Sequence, residues 1–112
     1  MLTIEALREY GADVEEGLER CLNDEGFYLS LIPSSLEERD YKAIENAIAS
    51  KDLTAAFEAA HGLKGVLGNL ALTPLFQPVS EMTELLRSRT DTDYSGYLDA
   101  MWEQRKKLME LL

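Results

Sequence analysis

Residues Ala59–Leu70 read AAHGLKGVLGNL, a helical pattern with an unusual content of glycine. Its apolar positions recur at helical spacing, yet it holds Gly62, Gly65 and Gly68 together with His61, the only histidine of the chain. A glycine inside a helix costs roughly 0.5–1 kcal/mol relative to alanine. Three of them around one imidazole call for a reason other than helix formation. On a wheel of about 100° per residue, Leu53, Ala56, Ala60, Leu63, Leu67, Leu70 and Ala71 gather into one apolar stripe that must face a core. His61 falls roughly 120° from the middle of that stripe, at the boundary with solvent, with Gly65 and Gly68 one and two turns further on. Lys64 lies on the core-ward flank of His61, where its stem can cover apolar surface while its ammonium reaches the rim.

Outward from this helix the pattern stays helical, strand-like alternation is absent and β-branched residues are sparse. Toward the N-terminus, Thr3 is placed to cap a helix that Gly11 stops, and Asp13 to cap a second over VEEGLERCL. Two further helical segments are expected, from about Asp24 to Arg39 and from about Asp40 to Ser50. Pro33 should kink or shorten the first by removing a backbone donor. The histidine helix is expected from about Leu53 to Ala71. Thr73–Pro74 is a start signal for the next, which should run to about Arg89, with Pro78 tolerated near its beginning. TDTDYSG reads as a loop, and YLDAMWEQRKKLMELL as a closing amphipathic helix, basic in its later half. Short connections imply antiparallel neighbours, hence an all-α, up-down bundle with short extra N-terminal helices. At 112 residues, without linker, low-complexity tract or repeat, residues 1–112 read as one domain.

The composition narrows the function. A formal charge of −10 argues against nucleic acid or an anionic membrane as partner, because both need a basic surface. Cys21, the single cysteine, excludes an internal disulfide and fits a reducing compartment. Its helical spacing from Leu18 and Leu22 reads as packing rather than as a reactive thiol. The N-terminus lacks the basic and apolar regions of a signal peptide, and no apolar run approaches bilayer length. A cytoplasmic location follows as the expectation.

Two readings of the glycines stand at this point. Gly65 and Gly68 either admit another molecule beside His61 or admit a neighbouring helix at close range; Gly62 points elsewhere and has no account. His61 itself is either a half-buried, hydrogen-bonded histidine or an imidazole exposed to a large partner and handling an anion. The second reading has a specific chemistry. A neutral imidazole is a good nucleophile near pH 7 and forms a labile N–P bond, so a phosphoryl group can be taken up and passed on. One cation at the rim steadies the phosphoryl oxygens without trapping the group.

AHGLKGVLGNL resembles the motif of the histidine phosphotransfer (HPt) domain family, His-x-Leu-Lys-Gly followed by small residues and then Asn-Leu-Gly. The likeness extends over nearly the whole chain. DEGFYLSLI is similar to the family's acidic–aromatic–leucine helix, and AIENAIASKDLTAAFEAAHGLKG to its helix, short Asp-containing turn and histidine helix. The resemblance implies an antiparallel four-helix bundle with the histidine exposed in mid-helix. It implies that His61 is phosphorylated, that Lys64 steadies the phosphate, that Gly65 leaves room for it, and that Gly68 fills a position usually small. It implies partners too, the receiver domains of response regulators or hybrid histidine kinases, which supply both the aspartate and the Mg²⁺; the chain itself would need no cofactor or metal and act as a monomer. Ala71 departs from the pattern where the family often has glycine, and Pro33 interrupts a major helix.

Other features carry less. DTDYSG begins like a calcium loop, but Trp102 stands where a bidentate Glu is required, and Asp93 or Thr92 reads better as a helix cap. There is no metal-ligating Cys/His cluster, no P-loop and no Gly-x-Ser-x-Gly turn. Phe27, Tyr28 and Leu31 share a helical face that is mostly core. One of them, with Leu72 on the His61 side of its helix, is expected to border an apolar docking patch, since an acidic domain meeting an acidic pocket cannot rely on attraction. Alanine at Leu72 would then slow transfer without unfolding the domain. The expected function is thus a phosphocarrier, not an enzyme, relaying a phosphoryl group between receivers. The alternatives are a non-transferring docking module for receivers or kinases, and the kinase-charged domain of a chemotaxis-type histidine kinase. The opening Met1 and the lack of adjoining catalytic or receiver sequence favour a stand-alone carrier.

Overall fold

A computed structural model describes all residues from Met1 to Leu112. Seven α-helices and one 3₁₀ turn follow in order: α1 (Ile4–Tyr10), α2 (Val14–Arg20), α3 (Glu25–Leu31), the 3₁₀ turn (Pro33–Leu36), α4 (Glu38–Ala49), α5 (Leu53–Asn69), α6 (Thr73–Arg87) and α7 (Ser95–Met109). No strand is present. The long helices α4 to α7 form the antiparallel bundle, each packing on the next in sequence. The ring closes between its first and last members through side chains: Trp102 on α7 donates its indole N–H to Glu45 on α4 at 2.8 Å, and its ring lies 5.9 Å from that of Tyr41.

Side-chain caps start four of the helices. Thr3, Asp13, Asp24 and Asp52 each accept a backbone N–H three residues on, at 3.0–3.2 Å, satisfying one orphan donor apiece. Pro74 takes the first turn of α6, where its missing N–H costs nothing. Asp93 accepts the N–H of Ser95 at 2.9 Å as α7 begins, and that bond lowers the pKa of its carboxyl. Of the two effects expected of Pro33, the structure shows shortening rather than a kink, and the segment expected to run to Arg39 is divided. The helix ends at Leu31, a separate 3₁₀ turn follows, and α4 begins at Glu38 rather than Asp40. Pro33 has no N–H to give to Leu29, and Ser34 and Ser35 donate their hydroxyls back to Leu31 and Ile32, sealing the break. Tyr41 and Arg105 then bind the carbonyls of Ser35 and Leu36, tying the turn to α4 and α7.

One apolar cluster runs from Ile4 to Leu108 and takes in the inner faces of the bundle together with α1 to α3. Cys21 is buried within it, a packing residue. The N-terminal helices lie against the far end of the histidine helix. Asp13 donates its N–H to the carbonyl of Ala71 at 2.9 Å, and the fully buried Tyr28 donates its hydroxyl to Leu70 at 2.8 Å. Gly17 makes this seat possible, because a Cβ there would lie 2.6–2.7 Å from the Tyr28 ring. No helix is long and apolar enough to cross a membrane.

Candidate functional site

His61 stands in the middle of α5 with its side chain exposed, as its place on the wheel requires. Its ring is oriented by stacking on Phe57, one turn earlier, at 5.4 Å between centroids and 18° between planes. The Phe57 ring also carries two guanidiniums, those of Arg87 at the end of α6 and of Arg89 just past it, at 5.0 and 5.1 Å from its centroid. Such contacts contribute about 0.5–1 kcal/mol each near a surface, so they hold the aromatic platform under the imidazole. The spacing from Phe57 to His61 was open to the wheel. The arrival of Arg87 and Arg89 was not.

The three glycines separate. A Cβ at Gly65 would meet nothing within 4 Å, and the same holds at Gly62. Neither is held by internal packing, so for Gly65 the close-helix explanation fails. At Gly68 it succeeds: a Cβ there would come within 3.2 Å of the Phe76 ring on α6. An open cleft of about 470 Å³ begins at His61 and passes over Gly65 and Gly68; Lys64, Arg20, Glu16 and Phe76 line its sides. Gly62 faces a different hollow, beside Asp40 and Glu58.

Lys64 is at the rim, its side chain 26% exposed, and it is not unpaired. Its ammonium donates to Glu84 on α6 at 3.2 Å, and Arg87 reaches the same carboxylate at 3.3 Å. Arg87 first and Lys64 second hold the Glu84 carboxyl below the usual carboxylate range. A second cation faces the cleft from α2. Arg20 donates to Asn69 at 3.0 Å and to Glu16 at 2.8 Å. Its partner on α5 is 49 residues away in sequence, and no local pattern could have announced the contact.

These placements correct the expected docking patch. Leu72 is fully buried, not on the His61 side of a helix, and alanine there would open a cavity costing about 2–5 kcal/mol. The helix ends at Asn69, and Ala71 takes a left-handed turn, φ 54°, which swings Leu72 inward. That same φ favours glycine, the residue the motif often carries at this position. Of Phe27, Tyr28 and Leu31, Tyr28 is core, Leu31 is half-buried and Phe27 is 49% exposed. Nor is this surface uniformly acidic: Arg20 and Lys64 line the cleft that His61 opens, and Arg87 and Arg89 lie over the Phe57 ring on which it stacks.

No group of three or more His, Cys, Asp or Glu side chains is placed to hold a metal ion. The arrangement leaves an exposed, oriented imidazole beside a bare strip of helix, with Lys64 and Arg20 lining the same cleft. Neither curated proteins nor solved structures gave a match to the chain. The family model of the Hpt domain matches residues 35–111, from the 3₁₀ turn through α7, leaving α1 to α3 outside. With more than half of its length matched and the all-helical bundle in place, the chain belongs to the Hpt domain family, phosphotransfer modules of two-component signalling.

Proposed function

We propose that the protein is a phosphocarrier that accepts a phosphoryl group on His61 from a receiver-domain aspartate and passes it to another receiver. The observation that carries this reading is the exposed imidazole, stacked on Phe57, beside a helix surface that Gly65 leaves bare. In the forward step the unprotonated ring nitrogen gives its electron pair to phosphorus. The N–P bond forms as the P–O bond of the acyl phosphate breaks, and the carboxylate departs as an anion. The second ring nitrogen can shed its proton to water and regains one before the onward step. There the next aspartate's carboxylate oxygen bonds to phosphorus, the N–P bond breaks and neutral imidazole is restored.

Lys64 lies one turn from the nucleophile and can offer its ammonium to the phosphoryl oxygens by leaving Glu84. A surface ion pair of this kind contributes only about 0–1 kcal/mol, so its exchange for a phosphoryl dianion is favourable. Gly65 keeps the approach clear for the phosphoryl group and the partner's backbone, and Gly68 keeps α5 close to Phe76. On this reading the Mg²⁺ of the step is supplied by the receiver's acidic pocket. The basic residues around His61 oppose the net negative charge where that pocket would dock.

The test is transfer itself. Incubation with phosphorylated receiver domains should place acid-labile, alkali-stable phosphate on the wild type and none on His61→Gln. Receivers that bind the protein yet leave no such phosphate would replace the carrier with a docking module.

A further inference from the structure

The segment outside the family match, residues 1–34, brings a cation to the cleft that His61 opens. We infer that Arg20 is a second phosphate-contacting residue, which leaves Glu16 and Asn69 to meet the phosphoryl group once His61 carries it. The inference rests on the reading of His61 as the phosphorylated residue. Three observations support it. Arg20 lines the same cleft as His61 and Lys64, with only Gly65 and Gly68 on the α5 surface between. Its guanidinium is held by one amide oxygen and one carboxylate, and its side chain is half exposed, so those two bonds can be exchanged at the surface. Its backbone is fixed against the end of α5 through Asp13–Ala71 and Tyr28–Leu70, which keeps the arginine within reach.

Distance and charge then decide the exchange. His61 and Asn69 are eight residues apart on one helix, about 12 Å along its axis. A phosphoryl group carried over Gly65 on the imidazole spans part of that gap, and the arginine side chain, extended back along the shared cleft, spans the rest. The Arg20–Glu16 pair is a surface i,i+4 pair of small net value, whereas a phosphoryl group offers two charges and bidentate geometry to a guanidinium. At rest both cations of the cleft are occupied by carboxylates, Lys64 by Glu84 and Arg20 by Glu16. Phosphorylation would draw both toward one centre and fasten α2 to the charged state, a feature that the matched residues 35–111 lack by themselves.

The test uses the full chain and no receiver. Phosphoramidate transfers its phosphoryl group to an imidazole nitrogen with loss of ammonia, and His61 is the one histidine that can accept it. Phosphorus NMR then follows the phosphoimidazole signal against pH in wild type, Arg20→Gln and Arg20→Lys. A guanidinium at the phosphoryl oxygens opposes protonation of this unit. Arg20→Gln should therefore raise the midpoint by about half a pH unit, the effect of one screened charge at hydrogen-bonding range. Arg20→Lys should restore most of the difference. A wild type that charges, with the same midpoint in Arg20→Gln, overturns the role of Arg20 and leaves that of His61 standing, even if the variant is less stable. A wild type that gives no phosphoimidazole signal overturns the reading of His61, and this one with it.

Discussion

Gly65→Ala should make the protein more stable and a poorer carrier at the same time. The added methyl meets nothing within 4 Å, so no strain opposes the gain in helix propensity, roughly 0.5–1 kcal/mol. For 112 residues each kcal/mol moves Tm by about 4 °C, so the variant should melt about 2–4 °C higher. The same methyl stands in the cleft beside His61, where the phosphoryl group and its donor must approach. A misfit of about 1.4 kcal/mol in the transition state already slows transfer tenfold, and a methyl in the line of approach should do at least that. Gly62→Ala is the internal control. Its methyl is equally free of neighbours but faces another hollow, so it should stabilise to the same degree and transfer at the wild-type rate. Gly68→Ala must push Phe76 from 3.2 Å and should lose most or all of the propensity gain. Thermal melts and single-turnover transfer from a phosphorylated receiver measure both axes. The reasoning is refuted if Gly65→Ala is less stable than wild type, or if it gains stability and still transfers at full speed.

Three further outcomes follow from other parts of the molecule. Gly17→Ala drives a methyl into the buried Tyr28 ring and should cost about 1–3 kcal/mol, lowering Tm by about 4–12 °C; an unchanged melt would show that α2 does not need its close seat. Tyr10→Phe removes a buried hydroxyl that has no partner and whose pKa burial raises, so chemical denaturation should report a gain of about 1 kcal/mol, and a loss would reveal a hidden hydrogen bond. Burial pushes the Tyr28 phenol up to about 12 from an ordinary value of 10.0. The folded state thus holds that proton more tightly, so the stability it contributes is complete below pH 10 and is lost as pH rises through about 12. Melts across that window should fall steeply in the wild type and less so in Tyr28→Phe; parallel slopes would contradict the assignment.

Local signals in the chain set where most of the helices start and which way the imidazole faces. Thr3, Asp13, Asp24 and Asp52 are local caps, and Pro74 a local start signal, because each acts on groups within three or four residues of itself. The apolar stripe of α5 likewise sets which way His61 faces, since direction around one helix depends only on spacing. That logic lapses where the helix does. Helical phase places Leu72 on the His61 side, but the left-handed turn at Ala71 breaks that phase and buries it. Pro33 was legible as an interruption, whereas its form as a separate 3₁₀ turn depends on Tyr41 and Arg105 arriving to bind its carbonyls. What stands opposite each α5 position was decided only by tertiary structure. Gly65 and Gly68 are one turn apart and alike in sequence, yet α6 sets Phe76 against the second and nothing against the first. Glu84 reaches Lys64 across 20 residues, and Arg20 reaches Asn69 across 49. Such pairings are properties of how helices pack, and spacing along one chain segment cannot encode a neighbour that another segment provides.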